Sequence, residues 1–133
     1  MGLDPSRLKA IPLFEKFSED ELRQIAPFAE EATAGPGNVL VREGDYSYQF
    51  VAIEEGAAKV TRDGETVAEL GPGDFFGEIG LLETERRTAT VVATTPMELI
   101  VMFEREFRQM EREMPSVATR VRSAIRARLE ANS

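Results

Sequence analysis

The segment GPGDFFGEIGLL (residues 71–82) runs into ETERRTATV (residues 83–91), and together they combine turn glycines with an arginine-led β-branched run. A helical turn over residues 77–82 would offer unpaired backbone N–H groups and the positive end of its dipole to an anion. An arginine from the following strand would add two forked hydrogen bonds to the same anion. The segment therefore predicts a small phosphate-binding site on the wall of a β-structure.

Each part of this segment also has a simpler interpretation. The glycines would serve turns alone, which is a common reason for glycine in β-proteins. Arg86, Arg87 and Glu78 would be solvated surface charges. What favours a site is that a carboxylate, a helix end and an arginine converge within residues 77–88.

The composition limits the classes of protein and of site. A chain of 133 residues predicts a single domain, residues 1–133, and its net charge of -8 disfavours nucleic-acid and anionic-membrane partners. It has no cysteine and no histidine, which removes disulfides, the commonest general base and the commonest transition-metal ligand. We therefore expect no catalytic residue, no metal and no cofactor. With no apolar run near the roughly 18 residues of a membrane span, and no signal peptide, we expect a cytoplasmic protein without a membrane partner.

Helical patterns occupy both ends of the chain. Residues 1–31 have helical spacing, and Ser18 with Glu21 three positions later forms a capping box. Residues 104–130 are helical again, with one helix over Glu104–Glu113 and a second that begins at Pro115. We expect these to flank whatever lies between them.

Short β-type runs divided by turn signals fill residues 33–103. Asp63-Gly64 favours a type I′ hairpin turn, since both of its central positions need a positive φ. About eight such runs suit a jelly roll. The fold class predicted is α+β: an antiparallel β-roll of about eight strands flanked by N-terminal helices and two C-terminal helices.

FGEIGLL (residues 76–82) followed after four residues by RTATV (residues 87–91) resembles the phosphate-binding cassette of the cyclic nucleotide-binding domain family. That family includes regulatory subunits of cyclic-nucleotide-dependent kinases, cyclic-nucleotide-gated channels and proteins of the catabolite activator type. The turns at residues 43–45 and 63–64, and the helix after Ser18, also fall where the family has them, so the resemblance covers nearly the whole chain. We place the cassette at residues 71–91.

The resemblance implies roles for individual residues. Arg87 would pair with the exocyclic phosphate oxygens, and Glu78 would accept a hydrogen bond from the ribose 2′-hydroxyl. Thr88 would add a hydroxyl near the phosphate or reach the purine, where threonine is associated with tolerance of guanine. The ligand-binding residues predicted in this way are Phe76, Gly77, Glu78, Ile79, Gly80, Leu81, Leu82, Arg87, Thr88 and Ala89.

Two positions differ from the family's pattern or lie beside it. Arg86 precedes the arginine position, so we expect a surface charge there. Glu54-Glu55 stands where the family has an apolar residue and serine before Gly56, which leaves an acidic strand end.

The final helix would form the lid. In the family this helix seals the pocket, often with an aromatic residue, and here it contains none. The lid candidates are therefore Val121, Arg122, Ile125 and Arg126. The resemblance also implies that a bound phosphate acts on Leu81, and Leu81 on Phe107 of the preceding helix.

The leading hypothesis is a regulatory sensor module that binds cAMP, cGMP or both and couples binding to movement of its C-terminal helices. One alternative is a domain that has lost its ligand and serves as an interaction scaffold. A β-roll enzyme would have to hold a metal with carboxylates alone, and a catabolite activator would need a DNA-reading domain beyond these residues. Base preference, oligomeric state and effector stay open, with an effector domain or a homodimer through the C-terminal helix as the partners considered.

Overall fold

The computed structural model describes residues 3–42, 44, 49–76 and 89–131, with side chains as far as residue 127. In these ranges, short helices precede eight strands, and two longer helices follow them. The helices are α1 (Pro5–Lys9), α2 (Glu19–Ile25), α3 (Glu104–Glu113) and α4 (Pro115–Ala131), with 3-10 turns at Pro12–Phe14 and Ala26–Phe28. The strands are β1 (Glu30–Ala34), β2 (Val39–Val41), β3 (Gln49–Glu55), β4 (Ala58–Arg62), β5 (Glu65–Leu70), β6 (Phe75–Phe76), β7 (Thr90–Ala93) and β8 (Met97–Phe103).

The strands form two antiparallel sheets. The first sheet has the order β1-β8-β3-β6 and the second the order β2-β7-β4-β5. Side chains along a strand alternate between the two faces of a sheet. In β3, Phe50 and Ala52 pack in a core with the helices, and Val51 and Ile53 pack in a core with the second sheet. The first sheet therefore has a core on each face, one helical and one between the sheets. This confirms the predicted fold class.

The N-terminal helices follow their predicted signals until the sheet begins. The Ser18 hydroxyl accepts from the Glu21 N–H at 3.1 Å, and the Glu21 carboxylate accepts from the Ser18 N–H at 2.9 Å, which confirms the capping box. However, the helical segment ends at Phe28, and β1 starts at Glu30 rather than at Thr33. The register of Glu30 opposite Val101 explains the difference: pairing with β8 overrides a local sequence that has no strand signal.

Two turns depend on residues with a positive φ. Asp63 and Gly64 have φ of 53° and 83°, which confirms the type I′ character predicted for the β4–β5 hairpin. Gly56, between β3 and β4, has φ of 95°, and a Cβ there would lie 2.3 Å from the Pro96 carbonyl oxygen. Gly56 thus lets the corner that joins the two sheets lie directly on the corner between β7 and β8.

The C-terminal helices begin and end as predicted at Glu104, Glu113 and Pro115. Phe107 and Met110 of α3 are completely buried in the helical core. In α4 the apolar stripe is buried too, and its members within the described side chains are Val117, Ala118, Val121 and Ile125.

Candidate ligand-binding site

The cassette begins on a turn that is tied to β3. The Asp74 carboxylate accepts from the Gly71 N–H at 2.8 Å, which closes the turn. The Gly73 N–H donates to the Ile53 carbonyl, and the Ile53 N–H donates to the Asp74 carbonyl, both at 2.9 Å. β6 then pairs Phe76 with Val51 and buries the Phe76 ring between the sheets. This end of the cassette is held at the edge of the first sheet.

The cassette ends in the middle of the second sheet. Ala89 is half-buried and leads into β7, which lies between β2 and β4. Val91 and Ala93 of β7 are buried in the same cluster as Phe76. The connection from β6 to β7 therefore starts and finishes at the space between the two sheets.

Most of the predicted contact residues fall inside that connection. The structure places two of them, Phe76 and Ala89, at its two ends. The others lie outside the described residues, so their roles stay predictions: Gly77, Glu78, Ile79, Gly80, Leu81, Leu82, Arg87 and Thr88.

A cavity of about 330 Å³ opens between the sheets, lined by residues of β1, β2, β3 and β8. Leu99, Val101 and Phe103 supply apolar wall, and Val51, the cross-strand neighbour of Phe76, completes it. Carboxylates of β1, including Glu30, also line it. The lining is therefore mixed: the apolar side chains suit a planar group and Thr33 and Gln49 add polar atoms. The carboxylates on β1 would repel a phosphate at that end.

The lid candidates lie on the other side of the first sheet in this structure. Val121 and Ile125 are 1% and 0% exposed and belong to the helical core. Arg122 forms an ion pair with Glu111 of α3, and its guanidinium carbon lies 5.4 Å from the centre of the Phe107 ring. Arg126 is exposed. The structure thus brings the lid candidates together with Phe107 and not with the cavity between the sheets.

An ion-pair cluster that the sequence reasoning missed holds α1 to the first sheet. The Arg7 Nε donates to Glu54 at 3.0 Å, a second nitrogen contacts the other Glu54 oxygen, and a third contacts Glu31. These contacts, first with Glu54 and then with Glu31, raise the pKa of Arg7. The unusual Glu54-Glu55 pair was visible in the sequence, but nothing there indicated that Arg7, 47 positions earlier, is the partner of Glu54. The cluster fixes the end of β3 that leads to Gly56.

One carboxylate is perturbed where α3 follows β8. Glu106 accepts from the Phe103 N–H at 3.2 Å at the start of α3. Burial raises the pKa of Glu106, and the neighbouring Glu30 raises it further against the opposing effect of that N–H. The junction between β8 and α3 therefore carries a carboxyl group that favours its protonated form more than a free glutamate does.

Together, these features define a β-roll in which the predicted cassette begins at the edge of the first sheet and ends in the second sheet. The family model described as "Cyclic nucleotide-binding domain" matches residues 32–113. The chain belongs to the cyclic nucleotide-binding domain family, as the resemblance of the cassette predicted.

Known relatives agree with this assignment. A cAMP-dependent protein kinase regulatory subunit from Hypocrea atroviridis is 30% identical over 77% of this chain and 22% of its own length. A cyclic nucleotide-gated potassium channel from Rhizobium etli is 33% identical over 85% of this chain and 32% of its own. The catabolite activator protein of Thermus thermophilus superposes with a TM-score of 0.74 at 27% identity, covering 91% of this chain and 59% of that one.

This chain spans only about a fifth to a third of the length of the two curated relatives. Likeness to them therefore concerns the binding domain and not the kinase-regulating or channel functions of the whole proteins. Among the helices that the structure describes, none is both long enough and apolar enough to cross a bilayer.

Proposed function

We propose that this domain is a regulatory sensor that binds cAMP, cGMP or both in the space between its two sheets. The observation that carries the proposal is the position of the cassette motif. Phe76, near its start, is buried between the sheets, and Ala89, near its end, leads into β7, whose Val91 and Ala93 are buried in the same cluster. The family match supports a nucleotide with a cyclic phosphate as the ligand.

Arg87 and Glu78 would divide the recognition of the ligand. Arg87 would hold the phosphate through two charge-assisted hydrogen bonds, and backbone N–H groups near Gly80 to Leu82 would complete the phosphate cradle. Glu78 would accept from the ribose 2′-hydroxyl, and Thr88 would add a hydroxyl. The base would then enter the cavity between the sheets, since the carboxylates of β1 disfavour the phosphate there.

Binding would be reported by the C-terminal helices. Such a signal requires that the nucleotide bind more tightly to one arrangement of α3 and α4 than to another. The lid candidates Val121, Arg122, Ile125 and Arg126 are engaged with the helical core or exposed in this structure. To cover the nucleotide, α4 would therefore have to leave its present position. The recipient of the signal would be an effector domain or a second copy that contacts α4.

We infer that the domain leaves its ligand chemically unchanged and needs no cofactor. The sequence contains no histidine and no cysteine to act as general base, nucleophile or soft metal ligand. The family's regulatory members support the same view. A cyclic nucleotide hydrolysed to AMP during incubation with the pure protein would contradict it.

Titration calorimetry of the purified protein with cAMP, cGMP and AMP tests the proposal. We expect saturable heat with at least one cyclic nucleotide at sub-millimolar concentration and weaker binding of AMP, which lacks the cyclic phosphodiester. Weaker binding of 2′-deoxy-cAMP by the unmodified protein, and no such difference in Glu78→Ala, would support the role of Glu78. If neither cyclic nucleotide binds, the domain is instead an interaction scaffold that has lost its ligand.

A further inference from the structure

Arg120 of α4 makes polar and aromatic contacts with the N-terminal helices. The Arg120 Nη1 lies 2.7 Å and 2.6 Å from the two carboxylate oxygens of Glu21. Its guanidinium carbon lies 4.5 Å from the centre of the Phe17 ring. Arg120 thus makes an ion pair and a cation–π contact at once, to two residues that surround the N-cap of α2.

A second arginine, Arg122, holds the same helix to α3 in the same manner, through Glu111 and the Phe107 ring. Residues two positions apart on an α-helix point about 200° apart. The two arginines therefore lie on opposite sides of α4: Arg120 contacts the N-terminal helices and Arg122 contacts α3.

The two sides are not packed equally. Phe107 and Met110 of α3 are almost fully buried together with Val121 and Ile125 of α4 in the helical core. Between α4 and the 3-10 turn at Pro12–Phe14 lies an open cavity of about 600 Å³. On the α4 side, this cavity is lined by Arg120 itself and by four smaller side chains: Thr119, Ser123, Ala124 and Ala127. On the N-terminal side, the Arg120 contacts therefore supply a larger part of what holds the helix.

Glu21 is built to receive this arginine. Its carboxylate is fixed by the Ser18 N–H of the capping box, and its side chain is 19% exposed. The Ser18 N–H first, and then Arg120, lower the pKa of Glu21. The partner of Arg120 is therefore charged at neutral pH and already held in position before α4 docks.

We propose that Arg120, Glu21 and Phe17 form a latch that sets how firmly α4 stays docked on the N-terminal helices. Opening the latch frees α4 on its loosely packed side while the contacts of Arg122 and Ile125 keep it close to α3. The latch is a property of the ligand-free domain and does not depend on nucleotide binding. Its part in signalling does rest on the proposed function, because α4 carries the lid candidates.

Hydrogen exchange of the ligand-free protein tests the latch. Glu21→Gln removes the charge that Arg120 needs, and glutamine can still serve in a capping box. Glu19→Gln is the matched control: it removes the same charge from the same turn of α2, at a side chain that is 73% exposed and paired within α2 and with Lys9. Backbone exchange in peptides of α4 and of α2 is measured by mass spectrometry, with α2 reporting whether the cap survives.

We expect amides of α4 to exchange about fivefold faster in Glu21→Gln, equivalent to about 1 kcal/mol, with little change in α2. Arg120→Gln should have the same effect, and the double variant should add little to either, because both changes open one latch. Exchange in α4 that matches the Glu19→Gln control, or additive effects in the double variant, would overturn the proposal.

Titration of the same variants with cAMP and cGMP tests, apart from hydrogen exchange, whether the latch affects nucleotide binding. A faster-exchanging α4 together with a changed nucleotide affinity would tie the latch to signalling, since the coupling of two equilibria is reciprocal. Faster exchange without a change in affinity would keep the latch and reject that link. If neither nucleotide binds any variant, the sensor proposal fails while the exchange result still decides the latch.

Discussion

Replacing Gly56 by alanine should be far more damaging than the same change at Gly64. Both glycines have a left-handed backbone, with φ of 95° and 83°, which disfavours alanine by about 1–2 kcal/mol. A Cβ at Gly64 meets nothing within 4 Å, whereas at Gly56 it would lie 2.3 Å from the Pro96 carbonyl oxygen and 2.9 Å from the Met97 Cα. Those atoms are backbone and cannot turn aside, so the clash adds about 1–3 kcal/mol.

We therefore expect Gly64→Ala to lower the free energy of unfolding by about 1–2 kcal/mol and Gly56→Ala by about 2–5 kcal/mol. Urea unfolding followed by circular dichroism measures both on the same scale. The corner between β3 and β4, where Gly56 lies, also matters for the candidate site. The Thr94 N–H donates to the Ala57 carbonyl at 2.9 Å and so connects the end of β7, the strand that follows the cassette, to the start of β4. Equal losses for the two variants would refute the close approach at Gly56.

Two further predictions concern carboxylates outside the cassette. Glu54→Gln should lower the free energy of unfolding by about 1–2 kcal/mol, since Arg7 is then left half-buried without its main partner. The control is Glu55→Gln, which changes an exposed side chain and should cost under about 0.5 kcal/mol. Equal costs in urea unfolding would show that the ion-pair cluster does not stabilise the fold. Glu106→Gln should stabilise the protein at pH 7, because the raised pKa of Glu106 means that stability falls as pH rises through that pKa. The gain should disappear below the ordinary pKa of 4.5, where the carboxyl is protonated in both states, and a loss of stability at pH 7 would contradict the prediction.

Local signals predicted much of the fold. Ser18, Asp63-Gly64 and Pro115 each mark a cap or turn by backbone chemistry that needs no distant partner, and the structure has all three features where they were predicted. The start of β1 was predicted too late because Glu30–Ala34 becomes a strand only by pairing with β8. Local propensity cannot show such a pairing.

The candidate site, like the fold, could be predicted only where its signal is local in sequence. The cassette motif is continuous in sequence, so residues 71–91 could be assigned to it before the structure was known. Arg7 with Glu54, and Arg120 with Glu21, lie 47 and 99 positions apart and carry no local signal that they meet. The docking of α4 away from the cavity between the sheets also depends on tertiary packing, which the apolar stripe alone does not specify.

The central claim is that a cyclic nucleotide binds at the cassette through Arg87, and the chain supplies its own control in the adjacent Arg86. Calorimetric titration of Arg87→Ala and Arg86→Ala with the preferred cyclic nucleotide compares the loss of one arginine at each position. We predict that Arg87→Ala weakens binding at least about 30-fold, as expected for a lost partner of a desolvated charge, and that Arg86→Ala binds within about threefold of the unmodified protein. Equal affinities of Arg87→Ala and the unmodified protein would contradict the claim.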